Sequence, residues 1–403
     1  MTRGREVWIT GIGLLSSIGE GHSAHVRELL DPTAAAKVEE ARFAPYAVHP
    51  LVAVDFGRQI PKKSDQRQME GWQRIGVYAA GLALADAGLA GDAALLDVTN
   101  IVIAAGNGDR DCELDQRILE QIEAQPAPGA YLNQALMTGL RPTLYLGELS
   151  NLLAGNISII HKATGSSRTF KGEEVSGVSA VENAWRRIGA GEGDLFLVGG
   201  ALNAEREDLL LGYELGRYLW SHPFRSVWQR GDAGGGFVPG SAGAFLVLEA
   251  REHAERRGGK PYAEVAGVFT DRSRRGAGDV GATLTRLTRE LAGPLGRGPV
   301  PVLSGASGVE PVTTEERAFL DGLARAGLVG AVRAFGTRLG HSVEAHFPLG
   351  VALAALALRE RALFPPFDAS GMEQPFEGEP ERILVTGLGH WRGEGLALLE
   401  RAN

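Results

Sequence analysis

An α/β layered fold is predicted for this 403-residue chain, and three observations predict it. Short apolar runs of strand length recur along the sequence. Longer stretches with helical patterning separate them. The 56 glycines are spread out and punctuate the apolar runs. The first strand reads Val7-Trp8-Ile9-Thr10 and is broken by Gly11-Ile12-Gly13. A helix follows over residues 74–87, with small residues on one face. A buried strand covers 100–105 and stops at Gly106, and another covers 194–198 and stops at Gly199-Gly200. Residues 242–249 and 262–269 read as a hairpin-like pair. The second half repeats this grammar. Pro301-Val302-Leu303-Ser304 ends at Gly305, residues 350–361 form an Ala/Leu-rich buried helix, and residues 382–386 run into Gly387-Leu388-Gly389. The repeat places a boundary near residue 250, giving halves 1–250 and 251–403. Residues 107–145 mix charges, Pro and Gly and read as helix and loop covering a surface. Residues 367–381 read as an exposed connection.

Composition narrows the function classes. The chain is 44% hydrophobic and 22% charged, which is ordinary for a globular protein. Its formal net charge is −8 and no Lys/Arg stripe occurs, which argues against a nucleic-acid partner. The single cysteine, Cys112, allows no intrachain disulfide and no thiolate metal site. The N-terminus runs straight into strand patterning without the apolar core of a signal peptide. No stretch of eighteen apolar residues is present, so no membrane span is expected and the cytoplasm is the expected location.

Five sets of residues carry a family resemblance. The opening Val7-Trp8-Ile9-Thr10-Gly11-Ile12-Gly13 is followed by Ser16-Ser17-Ile18-Gly19. Leu149-Ser150-Asn151-Leu152-Leu153-Ala154-Gly155-Asn156-Ile157-Ser158 comes next, then Gly193-Asp194-Leu195-Phe196-Leu197-Val198-Gly199-Gly200-Ala201. Glu252-His253-Ala254-Glu255-Arg256-Arg257-Gly258 precedes Pro261-Tyr262-Ala263-Glu264-Val265. Leu339-Gly340-His341 precedes Leu358-Arg359 and Pro365-Pro366. In this order and spacing they resemble the elongating β-ketoacyl-acyl-carrier-protein (ACP) synthases of the thiolase superfamily. The resemblance implies a thiolase-like fold: two pseudo-repeated βαβαβαββ halves in a five-layer αβαβα sandwich. It implies dimers, an acyl carrier protein as partner, no cofactor, and the joining of an acyl thioester to malonyl-ACP with loss of CO2. An acidic carrier could dock on a local basic patch despite the net charge, because local field steers encounter.

That reaction needs a cysteine at a helix N-terminus, two histidines and a lysine. Counting back from Gly199-Gly200 puts the cysteine position on Glu174. The first histidine position falls on Ala306, and no His occurs between His253 and His341. No Lys follows Lys260. His341 stands where the family has its second histidine, heading the buried helix. Glu174 has two readings. It is a charged helix cap filling an abandoned site, or it mimics an acylated cysteine and promotes malonyl decarboxylation or acts as a general base. A metal set of His341, His346 and Glu174 lacks the i,i+4 stacking of the two imidazoles, so no metal is expected. Gly387, Leu388 and Gly389 resemble the family's gating loop, with Leu388 where a Phe commonly stands and one residue inserted near His390-Trp391. Phe237, in a Gly-rich loop without the family's acidic residues, is a gating candidate whose plainer reading is core.

Three functions remain open. The first is a non-condensing, chain-length-factor-like partner of an intact ketosynthase, either heterodimeric or homodimeric. The second is a malonyl-ACP decarboxylase or acyltransferase using Glu174 and His341. The third is an acyl-ACP-binding homodimer without catalysis.

Overall fold

A computed structural model describes residues 4–296 and 298–402. Strand β1 (Val7–Ser16) is buried along its whole length and runs past the expected break. Gly11 and Gly13 lie where the helix Gly71–Asp86 crosses it. A Cβ on Gly11 would stand 2.5 Å from the Ala83 carbonyl oxygen, and one on Gly13 would stand closer still to that of Ala79. Glycine here permits close packing and does not stop the strand. The expected stop at Gly199-Gly200 fails for the same reason. Strand β5 (Leu195–Leu202) continues through both residues, and Gly199 leaves room for the neighbouring backbone at Ala244.

The remaining strands are β2 (Gly19–Glu20), β3 (Asn100–Ala105), β4 (Ser167–Lys171), β6 (Ala242–Ala250), β7 (Ala263–Asp271), β8 (Val300–Ser304), β9 (Val329–Ala334), β10 (Arg382–Leu388) and β11 (Glu394–Glu400). In the first half the order is β4-β3-β5-β6-β1, and in the second it is β9-β8-β10-β11-β7. β3 runs parallel to β4 and β5, while β6 runs antiparallel to β5 and β1. β8 runs parallel to β9 and β10, while β11 runs antiparallel to β10 and β7. Order and direction therefore repeat strand for strand. The two sheets meet where Trp8 and Ile9 of β1 pair with Glu264 and Ala263 of β7. The 242–249 and 262–269 segments are not a hairpin. β6 and β7 lie on opposite sides of β1, both antiparallel to it, and the helix Arg251–Arg257 links them.

Two helices pack between the sheets. His346–Glu360 is buried at every position through Leu358, as an all-round apolar Ala/Leu pattern requires. Glu174–Gly189 lies beside it and packs on strands of both halves. Gly71–Asp86 and Leu152–His161 cover the outer face of the first sheet. Asp279–Glu290 and Val312–Arg325 cover the second. The result is the five-layer αβαβα sandwich expected from the sequence. Val178, Val181, Phe196, Leu246, Phe347, Leu353, Val385 and Leu399 belong to the central core. Each such side chain contributes about 1.5–3 kcal/mol on burial.

Residues 107–145 carry the helices Cys112–Ile122 and Pro128–Gly139 on the surface. Residues 367–381 are irregular but anchored. Their Glu373 is buried and accepts N–H bonds from the Trp228 indole (3.1 Å), Ala334 (2.8 Å) and Phe367 (2.7 Å). Among the described residues no helix is long and apolar enough to cross a membrane.

Candidate functional site

Three segments meet at the N-terminus of the helix Glu174–Gly189. β4 ends at Lys171, and Gly172, held by its N–H bond to the Ala105 carbonyl (3.2 Å), turns the chain into Glu173 and Glu174. Glu174 is the first helical residue and is 1% exposed. The unsatisfied N–H groups of a helix N-terminus favour a carboxylate there.

His341 arrives from the second half, after β9 and the short helix Gly336–Leu339. Gly340 sits at φ 71°, and a Cβ there would come within 2.7 Å of both Gly240 and the His49 ring. The His341 N–H donates to the Val238 carbonyl (2.8 Å), and its own carbonyl accepts from Gly240 (3.0 Å). The Gly-rich loop thus clamps His341 from both sides. The buried helix itself starts five residues later, at His346, behind the turn Val343–Ala345. His341 therefore precedes that helix and does not head it. Gly106, Gly177 and Gly200 make room for the turn, since each would drive a Cβ against Glu344.

The third segment is the loop between β10 and β11. Its Gly389 N–H donates to the Gly393 carbonyl (2.9 Å). Arg275 donates to the carbonyls of Gly389 and Gly393 and pairs with buried Glu394. This loop lowers His390 onto Glu174.

The geometry is compact. His341 Nε2 lies 2.7 Å and His390 Nδ1 lies 2.6 Å from the same Glu174 oxygen, Oε1. These distances assign an N–H to each of those ring nitrogens. On its far side His390 Nε2 faces Glu173 Oε2 at 3.6 Å. Aromatic rings wall the cluster. Tyr218, Tyr213 and Phe237 stand 4.5, 5.4 and 5.7 Å from the His390 ring, and Phe237 stands 5.2 Å from His341. His346 packs on His341 at 4.2 Å and on Phe335 at 4.3 Å.

Burial alone would push the Glu174 carboxyl up, but His390 and His341 outweigh it and hold it well below the usual carboxylate range. Burial opposes the His390 imidazolium, yet the carboxylates of Glu174 and Glu173 raise its pKa. His341 is more deeply buried, and desolvation lowers its pKa despite Glu174. The arrangement favours an ionised Glu174, with His390 holding a second proton more readily than His341. Such a carboxylate is a poor proton acceptor, and no thiol accompanies it. Cys112 starts a surface helix and is half-buried, and burial raises its pKa.

Of the residues singled out in the sequence, Glu174 and His341 are brought into contact. Ala306 is buried just beyond β8 in an apolar cluster that also holds Leu388, and it offers no side-chain donor or acceptor. Leu388 consequently packs in the core of the second half. Gly387 leaves room for Phe347 and Val178, and a Cβ on Gly389 would stand 3.2 Å from Glu174 Oε2. Phe237 is core by burial and also touches the cluster. Sequence reading passed over His390. Its signal was the residue inserted in the Gly-rich loop near His390-Trp391, a loop resembling one that reaches the site.

The family model for the β-ketoacyl synthase N-terminal domain matches residues 4–254. The 3-oxoacyl-[acyl-carrier-protein] synthase 2 of Rhizobium meliloti is 28% identical over 278 residues, 65% of this chain and 63% of that protein. The actinorhodin polyketide putative β-ketoacyl synthase 2 of Streptomyces coelicolor is 29% identical over 264 residues, covering 61% of this chain and 64% of that one. The match thus spans less than two thirds of these relatives. The ishigamide ketosynthase/chain length factor superposes with a TM-score of 0.80 at 22% identity, covering 99% of this chain and all of that one. A β-ketoacyl synthase from Burkholderia phymatum gives 0.80 at 19% identity over the same shares. These structures share the thiolase-like fold. With the family model matching well over half of its length, the chain belongs to the β-ketoacyl synthase family.

Proposed function

We propose that this chain is a non-condensing, chain-length-factor-like partner of an intact ketosynthase in fatty-acid or polyketide biosynthesis, served by an acyl carrier protein. One observation carries the reading. The helix N-terminus to which the family resemblance assigns the nucleophile carries Glu174, locked by two imidazoles on one oxygen. A carboxylate cannot form the acyl thioester on which condensation depends. The same locking counts against Glu174 as a general base, because the bonds that hold it ionised lower its proton affinity. The fold shared with the ishigamide ketosynthase/chain length factor is in keeping with a heterodimeric partner.

The test is purification of the chain alone and together with a co-encoded intact synthase, each assayed with malonyl-ACP and an acyl-ACP. Condensation is expected only in the pair, which should co-elute as a heterodimer. Elongation by the chain alone would refute the proposal. CO2 release from malonyl-ACP by the chain alone, abolished by Glu174→Ala, would establish the decarboxylase instead. A lone homodimer that binds acyl-ACP and ignores every synthase would establish the binding-only reading.

A further inference from the structure

The cluster at Glu174 has a property that neither a relic nor a partner subunit requires. Glu174, His341 and His390 each offer a metal-ligating atom, these atoms lie within 4.8 Å of one another, and all three residues are buried. We propose that Glu174, His341 and His390 form a binding site for a divalent cation of the zinc class.

The donor set narrows the ion to the first-row divalent metals, with zinc the redox-inert member that serves as the probe. Two imidazoles and one carboxylate match the three-ligand sets that hold zinc with a fourth position left for water or another oxygen ligand. Calcium and magnesium prefer oxygen-only shells, and a softer, thiolate-dependent ion finds no sulfur here. Unsatisfied atoms point the same way. Both hydrogen bonds to Glu174 fall on Oε1, and Oε2 is buried with no partner. A buried carboxylate oxygen without a donor is costly, and a cation in reach of both oxygens removes that cost.

The surroundings support His390 as a ligand through Nδ1. Its other nitrogen, Nε2, faces Glu173 Oε2 at 3.6 Å. A carboxylate that accepts the N–H of the non-ligating nitrogen is the usual orienting arrangement of a metal-bound imidazole, and Glu173 stands just outside that hydrogen-bond distance. Glu173 and Glu174 together carry the charge that a divalent ion neutralises. The geometric demand falls on three donor–donor distances, all within 4.8 Å: the two to Glu174 and the one between the imidazole nitrogens, which must come to the same tetrahedral value. Bonds of about 2.0–2.1 Å in a tetrahedral site place the donors roughly 3.3 Å apart. The two imidazole–Glu174 contacts, at 2.7 and 2.6 Å, then open by roughly 0.6–0.7 Å. The ion would tie together three segments remote in sequence: the N-terminus of the helix Glu174–Gly189, the turn after β9, and the β10–β11 loop. This inference is independent of the partner reading, because a chain with or without the ion can complete a heterodimer.

The experiment uses the full chain in a Cys112→Ser background, with any affinity tag removed, stripped with a chelator and dialysed. Zinc is then titrated calorimetrically, its content is measured by mass spectrometry after desalting, and Co2+ is added to read its visible absorption. Expected are about one zinc per chain and a cobalt spectrum of a low-coordinate nitrogen/oxygen site. Glu174→Gln and His390→Phe should each weaken binding by more than about tenfold, and Glu173→Gln by about tenfold. The His390→Phe ring keeps its place among Tyr213, Tyr218 and Phe237, and melting curves verify that each variant is folded. The exposed His222→Ala variant should bind as the parent does. A parent that binds no zinc, or zinc binding that survives both Glu174→Gln and His390→Phe in folded protein, would overturn the proposal.

Discussion

Glu344→Gln is expected to change how the stability of this protein depends on pH. Glu344 lies in the turn Val343–Ala345, is 6% exposed, and backs onto Gly106. Burial, with repulsion from Glu174 and Glu173 added, pushes its carboxyl from 4.5 up to about 8. The sign follows from counting protons. Between these values the unfolded chain has released the proton and the folded chain keeps it, so stability falls as pH rises across the window and levels off above it. A carboxyl moved from 4.5 to about 8 costs roughly 5 kcal/mol at high pH, at about 1.4 kcal/mol per tenfold in proton affinity. Glutamine keeps the shape and does not titrate. Relative to wild type, the variant should therefore gain at least about 2 kcal/mol on going from about pH 5 to about pH 8.5, with roughly 5 kcal/mol as the ceiling. Urea denaturation at constant ionic strength, followed by tryptophan fluorescence and circular dichroism, measures it. If the two proteins lose stability in parallel over this range, Glu344 is already ionised in the folded chain and the reasoning fails.

Three further outcomes are expected. Gly13→Ala forces a Cβ into the backbone of the helix Gly71–Asp86 and should cost about 1–3 kcal/mol or more, read as a lowered melting temperature; an unchanged melt would refute the close crossing. Arg275→Ala removes the donor to the Gly389 and Gly393 carbonyls and leaves the buried Glu394 carboxylate with its Ser273 hydrogen bonds but no cation, a loss of up to about 3–5 kcal/mol. Hydrogen exchange should quicken at residues 389–393 first, and uniform quickening across the chain would contradict a local tether. Cys112→Ser should leave condensation by the synthase pair unchanged in a radiolabelled malonyl-ACP assay, because that thiol lies on a surface helix; lost activity would place a working thiol where none is expected.

Much of this molecule was legible in its residues alone. Apolar runs stopped or crossed by glycine marked the strands, and the all-round apolar pattern of residues 350–361 marked a helix buried between layers. The absence of any thiol except Cys112, of any His between His253 and His341, and of any Lys after Lys260 required no coordinates. The five ordered sets of motif residues carried the family likeness, and these absences argued against the family's own reaction. Tertiary structure decided the rest. Gly11, Gly13 and Gly199 looked like strand breaks because a sequence does not show the helix or backbone that will lie against them. β6 and β7 looked like a hairpin because nothing local reveals that β1 comes between them. Above all, His390 is 216 residues from Glu174, and no pattern of period 2 or 3.6 connects them. Their 2.6 Å contact exists because Arg275, from the start of the second half, draws the β10–β11 loop down onto the first helical residue of the other half. The sequence by itself determined that Cys112 is the chain's only thiol. Only the packing of the two halves decided that a buried Glu–His–His cluster forms at the N-terminus of the helix Glu174–Gly189.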